Sequence, residues 1–269
     1  MRIACFQGPE HADTPQANLA LLHRVAGEAR AAGAALLIAP ETFLTGYAIG
    51  PEKVRRLAEP LDGAALAAAG RIARQNGIAL AFGFPERDGA DVFNSAVVID
   101  ASGEVLARYR KTHLFGDVDR AQFSPGRDEP AIFEIGGLKA GLLICYDVEF
   151  PEAVRALALK GADLVIVPTA LMHPCEVVAR IVVPARACEN QVYIAYADRC
   201  GTEGPFDYCG LSCVVAPDGS DVARAGHGEE LVFADLDLAA LERSRAVNTH
   251  LIDRRPELYG SLSGGTGRP

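Results

Sequence analysis

The stretch GLLICYDVEFPE, residues 141–152, joins an apolar run to the start of a helix. Its apolar half ends at Cys145, and the acidic residues Asp147, Glu149 and Glu152 follow at once. Neighbouring carboxylates raise the pKa of a thiol and make it a poorer nucleophile. Cys145 is therefore either an inert buried side chain or a nucleophile whose base and cation come from elsewhere in the chain.

Along the chain, strands and helices alternate up to about residue 86, and hairpins are mixed with helices and strands after that. Apolar or alternating runs predict strands, and 3.6-residue spacing predicts helices. Strands are predicted over 2–7, 35–41, 78–86, 93–111 as a hairpin, 131–147 as a second hairpin, 162–170, 192–201, 210–226 as a third hairpin, and 230–238. Helices are predicted over 15–33, 63–77, 151–161 and 182–191. This order predicts an α/β protein whose sheets are covered by helices on the outside.

The chain has 269 residues and a formal net charge of −9, which argues against nonspecific nucleic-acid binding. No apolar run reaches the roughly 18 residues of a membrane helix, and the first residues enter a strand without a signal peptide. We therefore expect a cytoplasmic protein. No linker divides the chain, so one domain is predicted over 1–259, with a flexible tail over 260–269.

The seven cysteines are odd in number and form no CxxC pair, which predicts reduced thiols. Cys200, Cys209 and Cys213 lie close together in the sequence. Their spacing lacks the knuckle of a zinc site, and the segment around them reads as a strand, so no metal is expected.

Two further stretches carry candidate catalytic groups at the ends of predicted strands. Glu41 follows an apolar strand in PETFLTGY, and Lys111 follows a strand in YRKTHLFGD. Either could instead be a solvated surface charge. Because catalytic groups of α/β enzymes gather at the carboxyl ends of strands, Glu41, Lys111 and Cys145 could converge. Glu41 would then supply the base and Lys111 the cation that Cys145 needs. His113 is expected to be a structural hydrogen-bonding partner and not a base.

Three blocks in order, PETFLTGY, YRKTHLFG and CYDVEFPE, together with FSPG at 123–126, resemble the signatures of the nitrilase superfamily of carbon–nitrogen hydrolases. The resemblance covers residues 2 to about 238. It implies a four-layer α-β-β-α sandwich, pairing into at least a homodimer, and no metal or organic cofactor. The family's Glu, Lys and Cys fall on Glu41, Lys111 and Cys145. The backbone N–H of Tyr146 would help to hold the oxyanion. A second family glutamate falls on Asp119, whose side chain is one methylene shorter.

Tyr146-Asp147 after the cysteine, and the short segment 111–126, resemble the amidase branch of this superfamily. Within that branch, the blocks are most similar to bacterial enzymes that act on 5-aminopentanamide. The resemblance therefore implies hydrolysis of a small linear amide through a thioester. A nitrilase, an ω-amidase-type hydrolase and a non-catalytic protein that kept the fold stay open as alternatives.

Overall fold

Two six-stranded sheets and one two-stranded hairpin contain all the strands of the computed structural model, which describes residues 1–8 and 14–260. The strands are β1 Arg2–Gln7, β2 Leu36–Ile38, β3 Ala79–Asp88, β4 Asp91–Ile99, β5 Val105–Arg110, β6 Ile132–Ile135, β7 Leu138–Leu142, β8 Leu164–Pro168, β9 Tyr193–Ala197, β10 Cys200–Glu203, β11 Phe206–Cys209, β12 Cys213–Val215, β13 Asp221–Arg224 and β14 Glu230–Asp235. The predicted tail, apart from Gly260, lies outside the described residues.

The two sheets share one plan. The first has the order β14-β1-β2-β3-β4-β5, and the second has the order β13-β12-β9-β8-β7-β6. In each sheet three adjacent strands are parallel, β1 to β3 in the first and β7 to β9 in the second, and antiparallel strands complete both sides. The third pairing, between β10 and β11, is a separate hairpin.

Seven α-helices connect and cover the sheets in the described ranges. They are α1 Pro15–Ala31, α2 Pro51–Leu57, α3 Ala64–Asn76, α4 Gly116–Gln122, α5 Pro151–Leu159, α6 Val183–Asn190 and α7 Leu238–Val247. Short 3₁₀ turns span Cys145–Glu149 and Pro256–Leu258, and a π turn spans Val178–Val182. None of these described helices is long and apolar enough to cross a membrane.

Strand alternation separates the layers. In β1, Ile3 and Cys5 pack toward the second sheet, whereas Ala4 and Phe6 pack under α1 and α3. On the opposite side α5 packs on β7, where Gly141 leaves room for Leu157. Helix α6 lies beside α5 and contacts β9 and β12. The order of layers is therefore α-β-β-α, as predicted.

The structure corrects several predicted elements. The strand predicted over 192–201 ends at Ala197, and the chain turns into the β10–β11 hairpin, which the sequence did not predict. The run around Cys209 and Cys213 is not one strand, because Leu211 between them has a φ of 60°. Helices α2, α4 and α7 were also not predicted, since each is short or carries a weak apolar pattern.

Strand direction brings the candidate residues to one end of the molecule. β2 and β5 run the same way in the first sheet, so Glu41 and Lys111 leave it at the same edge. Gly83 in β3 permits this arrangement. A Cβ at Gly83 would lie 2.2 Å from the backbone nitrogen of Thr42 and 2.7 Å from Cα of Glu41. Any other residue at Gly83 would push the Glu41 segment away from the sheet.

Candidate active site

Lys111 is the centre of the candidate site, and its side chain is fully buried between two carboxylates. Its Nζ lies 2.8 Å from Oε1 of Glu41 and 2.7 Å from Oδ2 of Asp119, and neither acid is exposed. The backbone on both sides of the side chain is held as well. Lys111 N donates to Asn94 O and Gly126 N donates to Lys111 O, each at 2.8 Å. Gly126, the last residue of the FSPG block, has to be glycine for this close approach, because a Cβ there would lie 2.3 Å from the carbonyl oxygen of Arg110.

Asp119 reaches the lysine although it is shorter than the family's glutamate. It lies in α4, directly after the turn at Gly116, and its Oδ2 also accepts the backbone N–H of Phe115 at 2.9 Å. This hydrogen bond to the start of its own helix fixes the carboxylate against Lys111. The reduced length of the side chain therefore does not remove Asp119 from the site.

Glu41 is held by contacts from both sheets. Asn94 Nδ2 donates to its Oε1 at 2.6 Å, and its backbone N–H donates to Thr169 O, beyond the end of β8, at 3.2 Å. The buried guanidinium of Arg199 donates to the carbonyl oxygens of Glu41 and Thr42 at 3.2 and 2.9 Å. These contacts keep the carboxylate beside Lys111 without exposing it to solvent.

One oxygen on each acid has no hydrogen-bond partner among the described residues. These atoms, Glu41 Oε2 and Asp119 Oδ1, are both buried. Buried carboxylate oxygens are normally satisfied, because desolvating them without a partner is unfavourable. Two such oxygens around one lysine indicate a site built to bind a reacting molecule and not a purely structural ion pair.

Cys145 is the first residue of the 3₁₀ turn that follows β7, and its φ of 46° lies in the left-handed region. A non-glycine residue there is strained, and such strain is concentrated at functional sites. Cys145 as a residue is 8% exposed, and its thiol is buried and receives the backbone N–H of Ala170. It is therefore buried at the end of a strand, in the electrostatic field of Glu41 and Lys111.

Two of the acidic neighbours of Cys145, Asp147 and Glu152, are directed to other partners or to solvent, as expected. Asp147 Oδ2 accepts the backbone N–H of Ile144, and its Oδ1 accepts from Thr112 Oγ1 and from the backbone of His113. His113 Nδ1 is 2.7 Å from the same Oδ1, so this histidine is a hydrogen-bonding partner of Asp147. Glu152 is exposed in the first turn of α5, where an acid suits the helix dipole.

Burial and the neighbouring charges together set the pKa values of the groups in the site. Burial raises the pKa of the Cys145 thiol well above its ordinary value; the charge of Glu41 raises it further, and Lys111 partly opposes both. Burial also raises the pKa of Glu41, again with Lys111 in opposition. For Lys111, burial alone would lower the pKa, but the charges of Glu41 and Asp119 outweigh it and raise the pKa. A neutral thiol thus lies beside a carboxylate with increased proton affinity, the arrangement that general-base catalysis requires.

An apolar wall lies beside the lysine, and most of it was not predicted. Tyr47, Ala170, Met172 and Tyr208 form a buried cluster, with Phe115, Val118 and Phe206 at its margin. Lys111 Nζ lies 5.8 Å from the centre of the Tyr47 ring. The ring of Tyr146 packs edge-on against Phe115 and Phe150. This cluster therefore provides an apolar surface next to Lys111.

Of Glu149, Glu176 and Glu189, only Glu149 has a carboxylate without a hydrogen bond or ion pair among the described residues; its backbone carbonyl accepts from Arg186 Nη2 at 2.7 Å. Glu176 Oε1 lies 2.6 Å from Nδ1 of His173, and Glu189 Oε1 lies 3.0 Å from Nη1 of Arg186. Burial raises the pKa of Glu149, and the charges of Lys111 and Arg186 partly oppose this. Its carboxylate is thus half-buried and within the electrostatic range of Lys111.

Comparison with known proteins gives consistent matches over nearly the whole chain. The family "carbon-nitrogen hydrolase" matches residues 2–246. A Pseudomonas protegens protein described as a hydrolase in the pqqF 5′ region is 50% identical over 265 residues, 98% of this chain and 92% of that protein. An (R)-stereoselective amidase of a Pseudomonas species is 39% identical over 226 residues, 84% of this chain and 81% of that enzyme.

Solved structures of an amidase also match over nearly the whole chain. The E41Q/C145A double mutant of the amidase from Nesterenkonia sp. AN1, in complex with acrylamide, has a TM-score of 0.85 and 39% identity, covering 97% of each chain. The E41Q mutant of that amidase, also at 39% identity and a TM-score of 0.85, shows covalent addition of the acetamide moiety of fluoroacetamide at its active-site cysteine; it covers 97% of this chain and 96% of that one. The mixed α/β fold with two sheets is therefore shared with an amidase structure.

Glu41→Gln should lower the pH at which the Cys145 thiol becomes reactive toward iodoacetamide. The substitution keeps the shape of the side chain but removes the negative charge that helps to raise the thiol pKa, while Lys111 stays. The midpoint of the pH profile of alkylation should fall by about 1–3 pH units. Mass spectrometry of the peptide that contains Cys145 gives the rate at each pH. A midpoint unchanged from the parent would show that Glu41 does not act on the thiol.

Lys111→Ala should destabilise the protein by about 3–5 kcal/mol, because it leaves two buried carboxylates without their cation. The loss should grow as pH rises, since both acids must then stay charged. Urea unfolding at several pH values gives the free energy. Lys53→Ala, an exposed lysine in α2, is the matched control and should lie within about 0.5 kcal/mol of the parent. Equal unfolding free energies for the two variants would contradict the buried charge cluster.

Proposed function

The chain belongs to the carbon–nitrogen hydrolase family, and on that premise we propose that it hydrolyses a small aliphatic primary amide to a carboxylic acid and ammonia by covalent catalysis at Cys145. The observation that carries the proposal is the buried Lys111, which forms ion pairs with both Glu41 and Asp119. The charges of Lys111 and Glu41 act on the Cys145 thiol. This arrangement provides a nucleophile, a base and a fixed cation without any cofactor.

In the first half of the reaction, Glu41 removes the thiol proton as Sγ of Cys145 attacks the amide carbon. The carbonyl oxygen becomes an oxyanion, which Lys111 and the backbone N–H of Tyr146 stabilise. A fixed donor of this kind is worth about 3 kcal/mol of the barrier. Glu41 then passes its proton to the departing nitrogen, the C–N bond breaks, and ammonia leaves a thioester on Cys145.

In the second half, Glu41 removes a proton from water, and the resulting hydroxide attacks the thioester carbon. The C–S bond breaks, the thiol regains the proton from Glu41, and the carboxylic acid leaves. Asp119 holds Lys111 in place throughout and has one unpartnered oxygen that can orient the substrate or the water. The raised pKa of Glu41 suits this role, since the same group must both take up and release a proton.

A short amide with a terminal amine fits the charges around the site. Among the acids considered for such an amine, Asp119, Glu176 and Glu189 are engaged with cationic or imidazole partners, whereas Glu149 is not. A half-buried carboxylate gains from a cationic partner, because the pairing offsets its desolvation. We therefore place the amine of 5-aminopentanamide at Glu149, with the methylenes of the substrate against the apolar wall around Tyr47.

The substrate proposal is tested by ammonia release from 5-aminopentanamide, pentanamide and pentanenitrile. The parent should prefer the aminated amide by tenfold or more in kcat/KM, since hydrogen bonds to charged groups contribute about 1.5–3 kcal/mol. Glu149→Gln should bring this ratio toward one, whereas Glu152→Gln, the exposed acid of α5, should leave it unchanged. Cys145→Ala should keep the fold and lose all turnover.

Each failure of this test has a separate meaning. Equal use of pentanamide by the parent would leave an aliphatic amidase without amine preference. A preference that survives Glu149→Gln would place the amine elsewhere. Faster release from pentanenitrile than from either amide would replace the amidase by a nitrilase. Near-normal turnover by Cys145→Ala would reject the covalent mechanism.

A homodimer is part of the same proposal and rests on exposed apolar residues near α5 and α6. Leu159 at the end of α5 is 51% exposed, and Val177 and Ile181 before α6 are 53% and 63% exposed. Val177 and Ile181 are four residues apart and so share one face. Apolar side chains exposed together mark protein–protein contacts more often than open surface.

Light scattering at micromolar concentration should give twice the 28.4 kDa mass of one chain. Ile181→Asp should shift the mass toward that of one chain, because it places a charge in the contact. Leu106→Asp is the control, since Leu106 is exposed on β5 of the first sheet, whereas α5 and α6 cover the second sheet. A parent that scatters as a single chain would reject the dimer.

A further inference from the structure

Three side chains with different ligand atoms form a cluster outside the catalytic group. They are His173, Glu176 and Cys209, and one potential ligand atom from each lies within 4.8 Å of the other two. His173 and Glu176 are partly exposed, whereas Cys209 is fully buried beneath them. The mechanism proposed above uses none of the three.

The backbone around this cluster is tied together by hydrogen bonds. His173 N donates to Asp207 O at 2.9 Å, Cys209 N donates to Leu171 O at 2.8 Å, and Met172 pairs with Tyr208 between them. The segment 171–173 therefore runs as a short extra strand beside β11. This pairing fixes the imidazole on one strand and the thiol on the neighbouring strand at a defined separation, as a metal site requires.

We propose that His173, Glu176 and Cys209 form a binding site for a divalent transition-metal ion of the zinc type. An imidazole nitrogen, a carboxylate oxygen and a thiolate sulfur are the ligands that zinc takes in proteins. In a tetrahedral site with bonds of about 2.0–2.3 Å, ligand atoms lie about 3.3–3.8 Å apart. The observed spread of 4.8 Å needs an inward movement of about 1 Å, and the two partly exposed side chains can make it.

A fourth position of the ion has a neighbour of suitable chemistry. The ring of His227 lies 6.2 Å from the ring of His173, and its Nδ1 lies 2.8 Å from the carbonyl oxygen of Cys209. When Nδ1 carries the proton and donates to that carbonyl, Nε2 is left as an electron-pair donor. A backbone carbonyl commonly orients a ligating histidine in this way. Water can complete the coordination where His227 does not reach.

The cluster is not the group of three cysteines that lie close together in the sequence. Of Cys200, Cys209 and Cys213, only Cys209 contributes to it, and its companions come from a segment more than thirty residues earlier. The cluster is also connected to the catalytic group. Ala170, whose N–H meets the Cys145 thiol, lies three residues before His173. An ion at His173 would therefore stiffen the segment that supports Cys145.

Titration with Co²⁺, after removal of metals with a chelator and with a phosphine reductant present, tests the site. The parent should bind one equivalent with a cobalt–thiolate charge-transfer band in the near ultraviolet. Cys209→Ser should abolish the band, and His173→Ala should weaken binding at least tenfold. Competition with a chromophoric chelator gives the corresponding affinities for Zn²⁺.

Two controls separate the cluster from other thiols. Cys188→Ala removes a half-buried cysteine outside the cluster and should leave the band intact. Cys145→Ala should also leave it intact, because the catalytic thiol is not a ligand. The side chain of His173 is partly exposed, so its variant remains informative even if Cys209→Ser folds poorly. The proposal fails if the parent gives no thiolate band, if His173→Ala binds as tightly as the parent, or if Cys145→Ala loses the band.

Discussion

The burial of one ammonium between two carboxylates is the interaction on which the rest of the site depends. Lys111 has no exposed surface, so its charge is tolerable only because Glu41 and Asp119 lie within hydrogen-bonding distance. With both acids ionised the group has a net charge of −1, and a thiolate at Cys145 would make it −2. Such a group resists ionisation of the resting thiol and instead favours transfer of its proton at the moment of attack.

Neither sheet alone provides the base, the cation and the nucleophile. Glu41 and Lys111 leave the first sheet at the same edge, whereas Cys145 leaves the second. The hydrogen bond from the Glu41 backbone to Thr169 and the buried Arg199 connect the ends of the two sheets. The face-to-face packing of the sheets therefore does more than bury apolar residues, because it sets the separation between base and nucleophile.

Much of this arrangement could be predicted because it depends on strand direction and on motifs in the chain. Glu41, Lys111 and Cys145 each follow a predicted strand, and strands that run the same way place their carboxyl ends together. Asn94 and Arg199 could not be found in this way. Their roles depend on one side chain reaching a particular atom across the fold, and a strand end followed by Asp-Arg carries no periodic signal of that contact.

The β10–β11 hairpin was missed for a related reason. Its strands are four residues each and rich in polar groups, so local alternation is weak, and the pairing is stabilised by contacts to the segment 171–173.

The pairing of the first strand with the last has a consequence during synthesis on the ribosome. β1 pairs on one side with β14, and Met1 N meets Leu236 O at 2.9 Å. That edge of β1 stays unpaired until some 230 further residues have been made, so a nascent chain carries an open strand edge through most of its synthesis. The native partner of this edge is therefore missing for most of translation, and the first sheet is complete only once β14 has been made.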